Sequence, residues 1–397
     1  VFKVCKSNTF IKGYFTGKYS LNVFSSALEL PKQWDTICEQ QPHLNSKALL
    51  ALESANLSDL EFCYLMLYSG DVVVAVFYFQ ILTLRNYHYK EFQSNKNKII
   101  RHVEQSILEK NNKIWICGNL FKTDFKGFIV KDDLKNTSEI VDEIKNFFKI
   151  RTIKEKPNLL LFKDVPLNDR INDDFKRLKF KHTEEDVVLK MEIPHEWNSI
   201  EDYKKLLSKK YLARYNKIHH ELNPVIKKEL SIKEIEEYGD TIISLYNQVL
   251  KRQSIRLGIL NLNYFINCKK YHNDSFKFYG YFLEGVMVGF TSNFIKNGEW
   301  EIHYIGFDYE INQKHKLYLN FLFNGLNEAI LHKCFKLNLG RTAREAKASL
   351  GAKPVYYSNY FKLRGAATKV LFNFLESKFK ESEGDEWKVR YPFKVKI

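Results

Sequence analysis

No stretch of this 397-residue chain stays apolar for the roughly twenty residues that a membrane-spanning helix needs. The longest such run, Val72-Val73-Val74-Ala75-Val76-Phe77-Tyr78-Phe79, has eight. Proline and glycine are scarce, at 8 and 17 residues, while aromatics make up 15%. That combination excludes a collagenous, low-complexity or largely disordered chain, because such segments lack the apolar groups that offset ordering entropy. Cysteine is sparse as well: six residues, at 5, 38, 63, 117, 268 and 334, none closer than 25 positions to the next. This spacing excludes CxxC metal knuckles, redox dithiols and a dense disulfide framework. Apolar neighbours such as Tyr64 and Leu65, or Trp115 and Ile116, point to reduced, buried thiols and a cytoplasmic protein. There is no P-loop, no dinucleotide glycine fingerprint and no Gly-x-Ser-x-Gly elbow. His219, His220 and His332 show no ligand spacing with acids or cysteines, so no metal site is expected. Lys3, Lys6, Lys12 and Lys18 interrupt the first residues, and no secretory signal is read there. A leader removed before Val1 is left open.

Hydrophobic residues at 45% and charged residues at 27% describe a globular chain, and its length favours two or three domains. Lysine and arginine number 62 against 47 acids, a net charge of +15, which favours acidic partners: RNA, a carrier protein, a phosphorylated cofactor or an anionic membrane face. The excess is concentrated. From Tyr203 to Lys228, Lys204, Lys205, Lys209, Lys210, Arg214, Lys217, Lys227 and Lys228 face one acid, Glu221. In the same stretch Tyr203, Leu207, Tyr211, Tyr215, Ile218 and Leu222 step by three or four residues, so one basic helix is expected, ended by Asn223-Pro224.

The chain also repeats itself. Phe62-Cys-Tyr-Leu-Met-Leu-Tyr-Ser-Gly-Asp-Val-Val-Val-Ala75 and Phe276-Lys-Phe-Tyr-Gly-Tyr-Phe-Leu-Glu-Gly-Val-Met-Val-Gly289 align without a gap, each an aromatic run, a short Gly turn and a β-branched run. That is a hairpin pattern. Each copy is followed by a strand-like run (Ile114 to Gly118; Trp300 to Gly306) and then a helical pattern. The helical sets are Ile140, Val141, Ile144, Phe147 and Phe148 in the first half, and Leu319, Leu322, Phe323, Leu326, Ala329 and Ile330 in the second. Another strand (Asn158 to Phe162; Lys336 to Gly340) and a short amphipathic piece (Phe175 to Phe180; Lys347 to Ala352) complete the order. Two α/β domains of one architecture are expected, 1–193 and 194–397, divided near Pro194-His195.

This order resembles the GNAT acyltransferase fold. Glu284-Gly285-Val286-Met287-Val288-Gly289-Phe290 looks like that family's strand-turn-strand entry, and Leu178-Lys179-Phe180 and Leu350-Gly351-Ala352 look like its closing L-G-F element. Two such domains in tandem are similar to the Fem-type peptidyltransferases and related bacterial N-acyltransferases. Leu30-Pro31-Lys32-Gln33-Trp34-Asp35 and Ala51-Leu52-Glu53-Ser54-Ala55 resemble the opening of the latter. The resemblance implies an α/β (α+β) fold of two tandem GNAT-like domains, each a mixed twisted sheet flanked by helices. It implies an enzyme that moves an acyl group onto an amine, with acyl-CoA or an acyl-carrier protein as co-substrate and nothing bound tightly. An aminoacyl-tRNA donor, as in Fem-type enzymes, is the alternative, and a non-catalytic binding module on the same fold is a third.

The family's glycine-bearing pyrophosphate loop is replaced here by Ile311-Asn312-Gln313-Lys314-His315-Lys316-Leu317-Tyr318, where side-chain cations would stand in for backbone amides. A tyrosine that many members place in the last element is Phe175 in the first half and Lys347 in the second. Lysine there is common in Fem-type enzymes, so the second domain is expected to hold the cleft and the first to be non-catalytic. Period-two alternation along Trp300 to Asp308 puts Glu301 and His303 on one face, with Trp300, Ile302 and Tyr304 on the other. Either Glu301 or His303 could serve as the base for the attacking amine, with strand amides beside Gly306 as oxyanion donors. The candidate catalytic residues are Lys347, Glu301, His303 and Tyr304; His315, Lys316, Tyr318, Arg341 and Arg344 are the candidate donor-binding residues. The acidic donor is expected against the basic segment Lys204–Lys228, with no DNA partner; a peripheral contact with an anionic membrane face is a further expectation.

Overall fold

A computed structural model describes residues 5–7, 10–15, 18–85, 88, 113–131, 137–151, 157–222, 224–252, 257–363 and 388–394. Val1, Lys3 and Asn223, and the side chains of Cys5, Lys6 and Lys12, lie outside the described residues. The chain forms two compact units. The first comprises Val1–Asp186, Ser254–Ile259 and Tyr356–Glu383, and the second Val187–Gln253, Leu260–Val355 and Gly384–Ile397.

The first unit carries strands β1 (Cys5–Ser7), β2 (Phe10–Phe15) and β3 (Ser20–Phe24), then helices α1 (Lys32–Ile37) and α2 (Ser46–Glu53). The hairpin β4 (Leu60–Ser69) and β5 (Val72–Thr83) follows, with β6 (Lys113–Cys117), β7 (Phe128–Val130), α3 (Thr137–Arg151), β8 (Pro157–Pro166) and α4 (Ile171–Arg177). Apolar residues of α3 at three- and four-residue steps, Ile140, Val141, Ile144, Phe147 and Phe148, are all buried against Phe77, Phe79 and Trp115 of the sheet.

Strand β9 (Lys181–Glu192) begins in the first unit and ends in the second. The second unit continues with α5 (Ile200–Leu206), α6 (Lys209–Leu222), β10 (Val225–Glu229), α7 (Ile232–Glu237), α8 (Gly239–Leu250) and α9 (Leu262–His272). Next come β11 (Phe276–Leu283), β12 (Val286–Lys296), β13 (Glu299–Phe307), α10 (Tyr309–His315), α11 (Leu317–Leu331), β14 (Lys336–Asn338) and α12 (Arg344–Ala348). The last strand, β15 (Lys353–Leu363), starts in this unit and finishes in the first, where Tyr357–Leu363 pair antiparallel with β8. The first unit's sheet has the order β1-β2-β3-β4-β5-β6-β8-β15, and the second unit's β9-β14-β13-β12-β11-β10. Each unit thus includes the end of a strand that begins in the other, and within β9 the units divide between Asp186 and Val187.

The sequence repeat is a structural one down to its irregularities. Both hairpins close with two-residue turns, Ser69 opposite Val72 and Leu283 opposite Val286. Their glycines take positive φ, 60° at Gly70 and 83° at Gly285, the conformation that such turns require. Both carry a bulge in the same place: Val74 is skipped between the pairs Leu67–Ala75 and Tyr68–Val73, and Val288 between Tyr281–Gly289 and Phe282–Met287. An inserted residue conserved in register between two halves is a feature of one shared architecture.

The expected single basic helix is two. Leu207, at the end of α5, is extended with ψ 138°. It pairs with Phe393, and Ser208 N–H donates to the Pro392 carbonyl. A strand-like segment from the far end of the chain therefore takes the hydrogen bonds that would have continued the helix. Among the described residues no helix is long and apolar enough to cross a membrane.

Candidate functional site

In the second unit two neighbouring parallel strands come apart. β13 pairs with β14 only at Glu299–Lys336, Trp300–Leu337 and Glu301–Asn338. The chain then turns its hydrogen bonds to β9: Leu339 N–H donates to Leu189 at 2.9 Å, and Leu189 N–H to Gly340 at 3.0 Å. β13 runs on to Phe307, paired only with β12. A wedge opens at the carboxyl ends of the two strands, the usual place for a ligand crevice in an α/β sheet. In the first unit β6 stays paired with β8 to its own last residue, Cys117 opposite Phe162, and β8 runs on to Pro166 beside β15.

Short helix α12 sits at the wedge and brings Lys347 to it. Lys347 is only 4% exposed, and its Nζ lies 3.8 Å from where a side chain on Gly340 would begin. Among the described residues no hydrogen-bond or ion-pair partner reaches that Nζ. Burial, and after it the charge of Arg344, push the amine down to about 7 from its ordinary 10.5. Arg344 stands close enough to act on it, and Arg341 follows Gly340 in the chain; both are half-buried. Glu345, which could have paired with one of them, is held by Arg390 at 2.5 and 2.8 Å. At the same position of the first unit, Phe175 is fully buried among Phe162, Phe180 and Tyr360, with ring centroids at 4.7, 5.1 and 4.6 Å.

Asn338 steadies the end of β14. Its Oδ1 accepts from Gly340 N–H at 3.0 Å, and its Nδ2 donates to Glu299 at 2.9 Å, which Lys190 of β9 pairs with at 2.8 Å. Opposite Asn338 stands Glu301, with its side chain 12% exposed. His303 follows, its side chain 1% exposed, with Nδ1 3.4 Å from Glu301 Oε1 and Nε2 2.7 Å from the Tyr264 hydroxyl of α9. Strict alternation fails here: Ser292 faces Tyr304 and Asn293 faces Ile302, so His303 is a bulged extra residue. The bulge moves Tyr304 from the expected face of Trp300 and Ile302 to the face of His303, 4.6 Å away between ring centroids, and packs it on Tyr246. Burial raises both the Tyr264 and Tyr304 hydroxyls well above 10.

The donor-loop residues fall differently from one another. Ile311–His315 are the end of helix α10, not a loop, and the chain bends at Lys316, φ 49°, into α11. His315 is buried with Nδ1 2.7 Å from the Glu221 carbonyl. Lys316 Nζ folds back to the Gln313 carbonyl. Tyr318 packs on Phe307 with its hydroxyl enclosed, and among the described residues nothing hydrogen-bonds it. Of the five donor-binding candidates, Arg344 stands close to Lys347, Arg341 follows Gly340 in the chain, Tyr318 offers an enclosed hydroxyl, and His315 and Lys316 bind backbone carbonyls.

The basic segment is partly neutralised by the fold. Lys204 and Lys205 pair with Glu201 and Asp202, Lys227 with Glu328, and Lys228 with Glu234. Lys209, Lys210, Arg214 and Lys217 of α6 are exposed, and no carboxylate within the described residues pairs with them. The five described side chains of cysteine, at 38, 63, 117, 268 and 334, are free and buried. No group of three His, Cys, Asp or Glu among the described residues could hold a metal ion.

Duplicated units of this strand and helix order, with parallel strands parting over a short helix in the second, define a tandem GNAT-like α/β protein. The comparison with solved structures agrees. The chain is similar to FemX with a TM-score of 0.54 at 9% identity, over 87% of this chain and 98% of that one. It is also similar to a tandem GNAT protein from the clavulanic acid biosynthesis pathway, with a TM-score of 0.51 at 9% identity, over 87% and 99%. No protein-family model matches the sequence, and no curated protein matches it in sequence.

Proposed function

We propose that this protein is an N-acyltransferase, moving an acyl group from the thioester of acyl-CoA or an acyl-carrier protein onto an amine in the wedge of the second unit. The observation that carries the reading is the buried, unpartnered amine of Lys347 at the parting of β13 and β14. An isolated buried cation is costly unless something anionic arrives to meet it. In acyl transfer that partner is the oxyanion of the tetrahedral intermediate.

Glu301 takes a proton from the acceptor ammonium, and the free amine attacks the thioester carbonyl, forming the C–N bond. Lys347, which takes up a proton from solvent when the anionic donor binds, donates a hydrogen bond to the oxyanion and keeps its proton. The C–S bond then breaks, and the thiolate leaves with the second amine proton. Arg341 and Arg344 hold the donor's anionic part, and the exposed cations of α6 meet its acidic body. The free buried cysteines suit a cytoplasmic site of action.

An aminoacyl-tRNA donor is the second reading. It is favoured by the likeness to FemX together with the exposed cations Lys209, Lys210 and Lys217 of α6. The carbonyl chemistry is the same, with a C–O bond broken instead of C–S. In the first unit the aromatic packing around Phe175 supports a non-catalytic role. Incubation with labelled acyl-CoA, acyl-carrier protein and charged tRNA, with and without an amine mixture, tests the proposal. Amine-dependent loss of one donor is the expected result, and failure to consume any of the three overturns it in favour of a binding module.

A further inference from the structure

Glu301 and His303 both qualified as the base from sequence, and the surroundings of the bulge separate their roles. His303 has neither ring nitrogen available to a substrate. Nε2 is 2.7 Å from the Tyr264 hydroxyl, Nδ1 faces Glu301 at 3.4 Å, and the side chain is 1% exposed. Phe294 closes one side of the ring with centroids at 5.0 Å, and Tyr304 another at 4.6 Å. Glu301 is the member of the set with access, its side chain 12% exposed, and it stands opposite Asn338 at the last paired position before the wedge.

The direction of the hydrogen bonds follows from the chemistry of the groups. Tyr264 keeps its proton, since burial raises its hydroxyl well above 10, and the Cys268 thiol lies within hydrogen-bond reach of the same oxygen. A hydroxyl donating to Nε2 makes that nitrogen an acceptor, which puts the ring proton on Nδ1, 3.4 Å from Glu301 Oε1. A polar N–H beside a carboxylate favours its charged form. Among the described neighbours of Glu301 are Glu299 on its own strand, Lys190 of β9, which is paired with Glu299, and Tyr304; its partners in the sheet, Asn338 of β14 and Phe294 of β12, are uncharged.

We infer that Tyr264 and His303 are positioning residues, a relay from α9 through the β13 bulge in which the Tyr264 hydroxyl fixes one His303 tautomer and Nδ1–H is presented to Glu301, the group that accepts the proton of the incoming amine. The inference rests on the acyl-transfer reading for its purpose, but its geometry can be tested without any substrate.

The full chain labelled with [15N]histidine, with His303→Asn to assign the resonance, reports the tautomer directly. The expected spectrum between pH 6 and 8 has His303 protonated at Nδ1 and bare at Nε2, and Tyr264→Phe releases it to a mixture. An Nε2–H tautomer or an imidazolium at pH 7 in the unaltered chain overturns the relay. The purpose is read from the pH profile of kcat/KM with whichever donor turns over. His303→Leu, which removes the imidazole N–H beside Glu301, is expected to move the acidic limb up by about one unit, so that the loss approaches tenfold at pH values below the original limb and vanishes on its alkaline side. His303→Asn, whose amide N–H stands near the place of Nδ1–H, keeps the limb in position. An equal fall at every pH, with the limb unmoved, shows a merely structural histidine and overturns the positioning role. If no donor turns over, the acyl-transfer reading and the relay's purpose fall together, while the spectrum still decides the relay.

Discussion

Nζ of Lys347 lies 3.8 Å from the point where a side chain on Gly340 would begin, and Gly340 holds a φ of 75°. The glycine is thus both the turn that ends β14's course and the floor beneath the buried amine. Gly340→Ala is expected to cost about 1–2 kcal/mol through the left-handed backbone alone and to crowd the lysine. Chemical denaturation measures the first effect. The second appears as a turnover loss larger than the stability change explains; unchanged turnover would remove Gly340 from the site.

Lys347 makes opposite predictions for stability and for rate. Unfolded, it keeps its proton to about 10.5; folded, only to about 7. Between these values the unfolded chain binds more protons, so stability rises with pH across that window, and the full cost of burial is felt below pH 7. Lys347→Met is expected to flatten this slope and to stabilise the protein at pH 7 by about 1–3 kcal/mol, the scale of an unsatisfied buried polar group. The same change is expected to slow turnover about a hundredfold. Thermal unfolding from pH 6 to 10 beside a rate assay checks both, and a destabilised variant with full activity would contradict both.

Binding of an anionic donor should also protonate Lys347. Above pH 7 the empty site holds a neutral amine, and a neighbouring negative charge raises its proton affinity. Calorimetry at pH 8 in buffers of different ionisation heat is expected to show uptake approaching one proton, which disappears below pH 6. Equal heats in all buffers at pH 8 would separate the donor from Lys347.

Phe175 is the counterpart of Lys347 and serves packing alone. Phe175→Ala is expected to cost about 3–5 kcal/mol, as for a fully buried aromatic, and Phe175→Lys is not expected to create a second active unit. Phe162, Phe180 and Tyr360 close around that position and leave a lysine there no opening to serve. Urea titration gives the first number, and activity per chain tests the second.

Cutting the chain between residues 193 and 194 removes one strand from each unit. The first piece loses Tyr357–Leu363 beside β8 and Tyr360 from the stack on Phe175. The second loses the part of β9 that pairs with Lys336–Asn338. Each piece expressed alone is expected to be insoluble, and co-expression to restore both. Two separately folded, monomeric pieces in gel filtration would contradict the strand exchange.

How much of this was legible in the sequence followed from the range of the forces involved. The repeated hairpins, the apolar faces of α3 and α11 and the lysine in place of an aromatic are local patterns, carried by strand-length runs, turn glycines and three-to-four-residue steps. The bulge at His303 depends on one residue more in β13 than in β12, which no single strand displays. Tyr264, 39 residues before His303, meets it only because α9, packed on β11, reaches across the sheet to β13. The break at Leu207 comes from Phe393, and the neutralisation of Lys227 from Glu328, 101 residues away. Lys347 itself was visible as a cation in a charged cluster. That it is buried, unpaired and near neutrality was decided by the fold, because desolvation belongs to the surroundings of a side chain and not to its place in the chain.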